Sequence, residues 1–167
     1  MIMELEEKVK FKGAVRTRRL FAESYSTIAR MYNSSFKGVL LSLKVINRYP
    51  DVMGKVAEVN GEKGFVTWNF QNNGGILVKF THSRYEYINI KNIKEIPDRK
   101  EGEEVTIKAD ISGIPHEACS IVEEMKIRQG QTFRIVRVLD NRGGESLVRS
   151  GYKLEGSSYT WSEMCFE

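Results

Sequence analysis

The sequence predicts a mostly β chain, α+β in class, made of two small barrel modules with one or two short helices. The first observation behind this is apolar alternation at period two in many short runs. The second is the Gly/Asn pairs that separate those runs. The third is a densely charged stretch, 97–104, that divides the chain. With 167 residues, 41% of them hydrophobic and 29% charged, the chain suits one domain or two small ones and is not expected to be disordered. The expected division is 1–98, a linker at 99–104, and 105–167.

Residues 8–17 place Val9, Phe11 and Val15 at alternating positions around Gly13, which reads as a strand bent at the glycine. Leu20 to Tyr32 spaces Phe21, Tyr25, Ile28, Ala29 and Tyr32 by three and four, the pattern of a short amphipathic helix. Asn33-Ser34-Ser35 ends it. From Gly38 the alternation returns: Val39, Leu41, Leu43 and Val45 mark a strand, and Tyr49-Pro50-Asp51 a turn. Residues 53–59 read as the next strand, and Asn60-Gly61 as a tight hairpin turn. Strands follow at 64–70 and 76–80 around Asn72-Asn73-Gly74-Gly75, then at 85–90 and 93–96. Beyond the linker, 105–111 reads as a strand and Pro115 to Met125 as a helix, with Ile121, Val122 and Met125 on one side. Residues 132–139 are a clearly alternating strand before Asn141-Arg142-Gly143-Gly144.

A faint repeat links the two halves. Residues 65–96 and 133–167 both run strand, Asn-x-Gly-Gly, strand, aromatic strand, short turn, acidic end. Chance recurrence of glycine turns is the competing reading.

The net charge is +4, unevenly spread. Residues 1–59 carry eleven Lys/Arg against six Asp/Glu, whereas 99–167 carry ten against twelve. A phosphate backbone is bound by Lys and Arg that displace its counterions. Lys8, Lys10 and Lys12 alternate along one strand and so share a face, with Arg16, Arg18 and Arg19 close behind. Arg30, Lys37, Lys44, Arg48, Lys55 and Lys63 complete the candidate nucleic-acid-binding set. The bland alternative is a solvated strand face that protects an edge from aggregation. Trp68, Phe70, Phe80, Tyr85 and Tyr87 offer a stacking platform on paper, but alternating aromatics in small barrels are usually core.

Residues 54–70 (GKVAEVNGEKGFVTWNF) carry Val56, Val59, Gly61, Lys63, Gly64 and Val66 in the arrangement of a strand, a basic glycine turn and a second strand. This segment resembles the KOW portion of SH3-like small barrels, and the resemblance extends to about residue 96. Residues 126–167, opening IRQGQTFRIVRVLDNRGG and closing YTWSEMCFE, look like SH3-like domains of bacteriophage accessory proteins. The whole layout is similar to that of phage transcription modulators. The resemblance implies two SH3-like/KOW-type modules and a role in transcription or nucleoid structure.

No catalytic or metal constellation is legible. His82 and His116 lack ligand spacing, and His116 beside Cys119 lacks an orienting acid. Cys119 and Cys165 read as two free thiols. No cofactor and no enzyme activity are expected. The longest apolar run is too short to span a bilayer and the start does not look like a signal peptide, so a cytoplasmic protein is expected, in the host cell if phage-encoded. The expected partner is double-stranded DNA, bound with little sequence preference. The alternative is a phage-type interaction module that inhibits a host protein through its C-terminal half.

Overall fold

A computed structural model describes residues 2–22, 38–70, 75–140 and 150–167, the side chains of 68–70 aside. The chain is mostly β, in three antiparallel sheets with one short helix among the described residues.

The first sheet has the order β2-β1-β3, from β1 (Ile2–Phe11), β2 (Ala14–Ala22) and β3 (Val39–Tyr49). Residues 8–17 are therefore a hairpin and not one bent strand. Lys12 and Gly13 both take positive φ, 48° and 80°, the signature of a two-residue type I′ turn whose twist matches its strands. The predicted helix over 20–32 is corrected at its start: Leu20, Phe21 and Ala22 continue β2, each paired with β1. The rest of that segment lies outside the described residues. Two register shifts against β1, between Glu4/Leu5 and Lys8/Val9, bulge β3.

The second sheet runs β7-β6-β5-β4-β8. Its strands are β4 (Val56–Val59), β5 (Glu62–Phe70), β6 (Gly75–Lys79), β7 (Tyr85–Asn89) and β8 (Lys94–Glu95). Asn60 and Gly61, at φ 51° and 82°, make the hairpin turn expected of them. A 3-10 turn, Ile90–Asn92, capped by the Asn89 side chain, brings β8 back beside β4, the first strand of the meander. The third sheet is β12-β11-β10-β9, from β9 (Glu104–Thr106), β10 (Thr132–Asp140), β11 (Ser150–Leu154) and β12 (Thr160–Trp161). Here too a 3-10 turn, Glu163–Cys165, follows the fourth strand, and Phe166 then bridges Ile107 next to β9. The two sheets thus repeat one connectivity. Among the described residues neither closes into a barrel: β7 pairs only with β6, and β12 only with β11.

The helix predicted over 115–125 is also corrected. Ala118 and Cys119 donate to the Pro115 carbonyl in a single turn, Val122 is extended, and only Glu123–Lys126 (α1) is helical. The interruption lets Ile121 pack against the core of the third sheet. That core contains Trp161, Tyr152, Phe166, Ile111 and Met125, all fully buried.

The two sheets pack together. Phe65 of β5 lies in the core of the third sheet, with Val56 against it. Lys63 Nζ donates to the Glu163 carboxylate at 2.9 Å and to the Phe166 carbonyl at 2.9 Å. Lys79 pairs with Glu117, and the His82 amide donates to the Gly113 carbonyl. The charged stretch expected to be a linker is docked: Arg99 makes a two-pronged contact with Glu163, 2.8 Å from each nitrogen, and the Arg99 amide donates to the Tyr152 hydroxyl.

Candidate nucleic-acid interface

Strand alternation sorts the N-terminal basic residues. In an antiparallel pair, residues directly opposite each other point to the same face. Glu6 opposes Arg19 and Lys44, Lys8 opposes Thr17 and Ser42, and Lys10 opposes Val15 and Val39. Lys8, Lys10, Arg19 and Lys44 therefore share one face, and all four are exposed. Val9 opposes Arg16, and Glu7 opposes Arg18, so those two arginines lie on the other face. Lys12 stands at the hairpin tip with its ammonium 5.4 Å from the Phe11 ring.

The acids of this sheet sit at its inner end. Glu4 is buried and accepts from Asn47 Nδ2 and the Tyr49 hydroxyl at 2.8 Å, and from Arg19 at 3.2 Å. Burial disfavours its charged form. The two neutral hydrogen bonds and the charges of Arg19 and Lys91 outweigh that and hold the carboxyl below its ordinary value. Glu7, fully buried, accepts from Arg18 Nε at 2.7 Å while the Arg18 side chain stays 53% exposed. The outer half, residues 8–17 and 39–44, holds Lys8, Lys10, Lys12, Arg16 and Lys44 and no Asp or Glu. Apolar Val15, Val39, Leu40 and Leu41 are exposed beside them.

Other residues of the predicted set are elsewhere. Arg48 is exposed on β3, opposite Met3. Lys55 is buried, 3.8 Å from Glu95 and 3.6 Å from Asp98, and Lys63 is engaged with Glu163. Neither reaches the N-terminal face. Arg30 and Lys37 lie outside the described residues. Lys91, in the 3-10 turn of the second sheet, adds its positive charge to those that favour the Glu4 carboxylate.

Of the proposed aromatic platform, Phe80 is buried in the core of the second sheet, whereas Tyr85 and Tyr87 are exposed on edge strand β7. Trp68 and Phe70 side chains are outside the description. Beside the third sheet lies a groove of about 410 Å³ between the 116–120 turn and β11–β12. His116 faces it, 3.4 Å from the Ser120 hydroxyl. Among the described residues no three His, Cys, Asp or Glu come together as a metal site, and no helix is long and apolar enough to cross a membrane. No family model, curated protein or solved structure matches the chain.

Proposed function

We propose that the chain is a non-catalytic double-stranded DNA-binding protein with little sequence preference, and that the N-terminal sheet is its binding surface. The observation that carries this reading is the acid-free outer half of that sheet, where Lys8, Lys10 and Lys44 share one face and Arg19 continues it inward. Lys and Arg that neutralise phosphates release counterions, and they give affinity without reading bases. Arg16, Arg18 and Lys12 extend the positive potential around the edge and tip.

The shared connectivity of the second and third sheets supports two SH3-like modules: a meander, a 3-10 turn, and a last strand returned beside the first. The sequence resemblance adds the KOW and bacteriophage setting, and with it a role in transcription or nucleoid structure in the cytoplasm. The groove by β12 favours a second reading, a host-protein contact through the C-terminal module.

A fluorescence-anisotropy titration of duplex DNA at two salt concentrations tests the main reading. Binding should weaken steeply with salt. The variant carrying Lys8→Ala, Lys10→Ala, Arg19→Ala and Lys44→Ala should lose affinity equally for unrelated sequences, its salt slope falling by about 0.9 for each phosphate contact removed. No binding at low salt removes the proposal. A single protein partner retained from nuclease-treated lysate, without DNA binding, would favour the second reading.

A further inference from the structure

We infer that the N-terminal sheet seats its basic face in the major groove of duplex DNA and packs Val15 and Val39 against thymine methyl groups. This rests on the proposed DNA binding and adds to it a small preference for thymine-rich duplex. Phosphate contacts alone leave a group of aliphatic side chains unexplained. Val15, Val39, Leu40 and Leu41 are each at least 42% exposed, at the same end of the sheet as Lys8, Lys10, Lys12 and Arg16. Single exposed aliphatics are ordinary, whereas a group of them marks a contact surface.

The strand register places two of the four. Lys10 opposes Val15 on β2 and Val39 on β3, so the outermost row shared by all three strands reads Val15, Lys10, Val39 on one face. The next row inward is Thr17, Lys8, Ser42, and the one after it Arg19, Glu6, Lys44. Leu40 opposes Val9, which opposes Arg16, so Leu40 belongs to the other face.

Width selects the groove. Neighbouring strands stand about 4.8 Å apart, so Val15 and Val39 flank Lys10 across about 10 Å. B-DNA has a major groove about 12 Å wide and a minor groove about 6 Å wide, and only the first admits this row without deformation. The outer half of the sheet, free of Asp and Glu, brings its cations to the phosphates that line the groove walls. The apolar group displayed in the major groove is the thymine C5 methyl, which the minor groove lacks. A valine side chain has no hydrogen-bonding group, so it can read that methyl and nothing else on a base edge. An anionic bilayer would also attract the cations, but it takes up a continuous apolar face. Here polar Thr17 and Ser42 follow directly behind the two valines.

The full chain is titrated by fluorescence anisotropy against two duplexes of one sequence, one with thymine and one with deoxyuridine in its place. The A·U pair keeps the hydrogen bonds and charges of A·T and lacks only the methyl. The thymine duplex should bind at least about threefold more tightly. The double variant Val15→Ser/Val39→Ser should bind both duplexes equally, with the salt slope of the parent, because no phosphate contact is removed. Equal binding of the two duplexes by the unmodified chain overturns the inference, leaves the DNA-binding function standing, and needs no variant to fold. A thymine preference that survives in the double variant overturns it as well. Failure to bind either duplex at low salt removes the function and the inference together. Vesicles of phosphatidylserine and phosphatidylcholine form the last arm. Tighter binding to them than to duplex, lost in the double variant, would assign the valines to a lipid surface and overturn the inference.

Discussion

The N-terminal sheet and the C-terminal unit use the same ion-pair chemistry at different depths. In the N-terminal sheet the ion-paired acids are buried and their arginines are not: Glu4 and Glu7 are enclosed, while Arg19 and Arg18 are mostly exposed. In the C-terminal unit both sides are drawn in, with Glu163 held between Lys63 and Arg99, whose side chains are only 23% and 26% exposed. The apolar cores differ in parallel. Met3, Leu5, Leu20 and Ala22 form a small cluster in the sheet, against the large aromatic core around Trp161. A sheet with little to bury can present its cations, whereas a packed unit consumes them. Positive charge in the sequence is thus not the same as positive charge at the surface.

The sharpest break in that comparison is Glu163→Ala. It strands two partly buried cations and removes the clasp between the second and third sheets. Losing one partner of a buried pair costs about 3–5 kcal/mol. Urea denaturation should show that loss in Glu163→Ala, whereas Lys8→Ala and Lys10→Ala should stay within about 0.5 kcal/mol of the parent, as open surface positions do. Equal effects at the two sites would erase the distinction.

Glycines give a smaller contrast. A methyl at Gly64 would clash with Val78 Cγ1 and meet the Phe80 ring at 3.2 Å. Gly64→Ala should therefore cost about 1–3 kcal/mol by overpacking. At the hairpin tip Gly13 has open space but φ of 80°, so Gly13→Ala should cost about 1 kcal/mol from backbone strain alone. A Gly13→Asn variant, tolerant of left-handed φ, should recover much of that loss while Gly64→Asn should not. Thermal melts of the four variants provide the test.

These particulars also explain what the sequence made legible. Asn60-Gly61 was readable because both residues favour the positive φ that the turn requires. Lys12-Gly13 makes the same turn, but lysine rarely leads one, so the segment read as a single strand. The helical spacing from Leu20 failed where β-sheet pairing of Leu20 to Ala22 with β1 overrode local periodicity. Among the basic residues, alternation puts Lys8, Lys10 and Lys12 on one face; Lys8 and Lys10 share it, but Lys12 stands in the hairpin turn. Alternation was silent on Lys55 and Lys63, whose partners lie far along the chain at Asp98 and Glu163.

The subtlest test concerns the inner end of the N-terminal sheet, where one hydrogen bond from Tyr49 to Glu4 couples two titrations. Glu4 is held below the ordinary value of 4.5: burial opposes its charge, but the bonds from Asn47 and Tyr49 prevail. A depressed carboxyl contributes stability that is present above its unfolded value and is lost as pH falls through its folded value. Tyr49 is raised above its ordinary value of 10.0, by burial first and then by donating to Glu4. Its contribution is present below that value and is lost as pH rises through the folded one. Docking of the sheet should therefore be firmest between these limits and loosen on both sides, read as faster amide exchange in β1 and β3 than in β10 and β11. Glu4→Gln should abolish the acid limb, and Tyr49→Phe the alkaline limb, with each leaving the C-terminal unit's profile unchanged. An acid limb that persists in Glu4→Gln would assign the loosening to general charge repulsion, and the buried acids of the sheet would then have no special part in setting its cations outward.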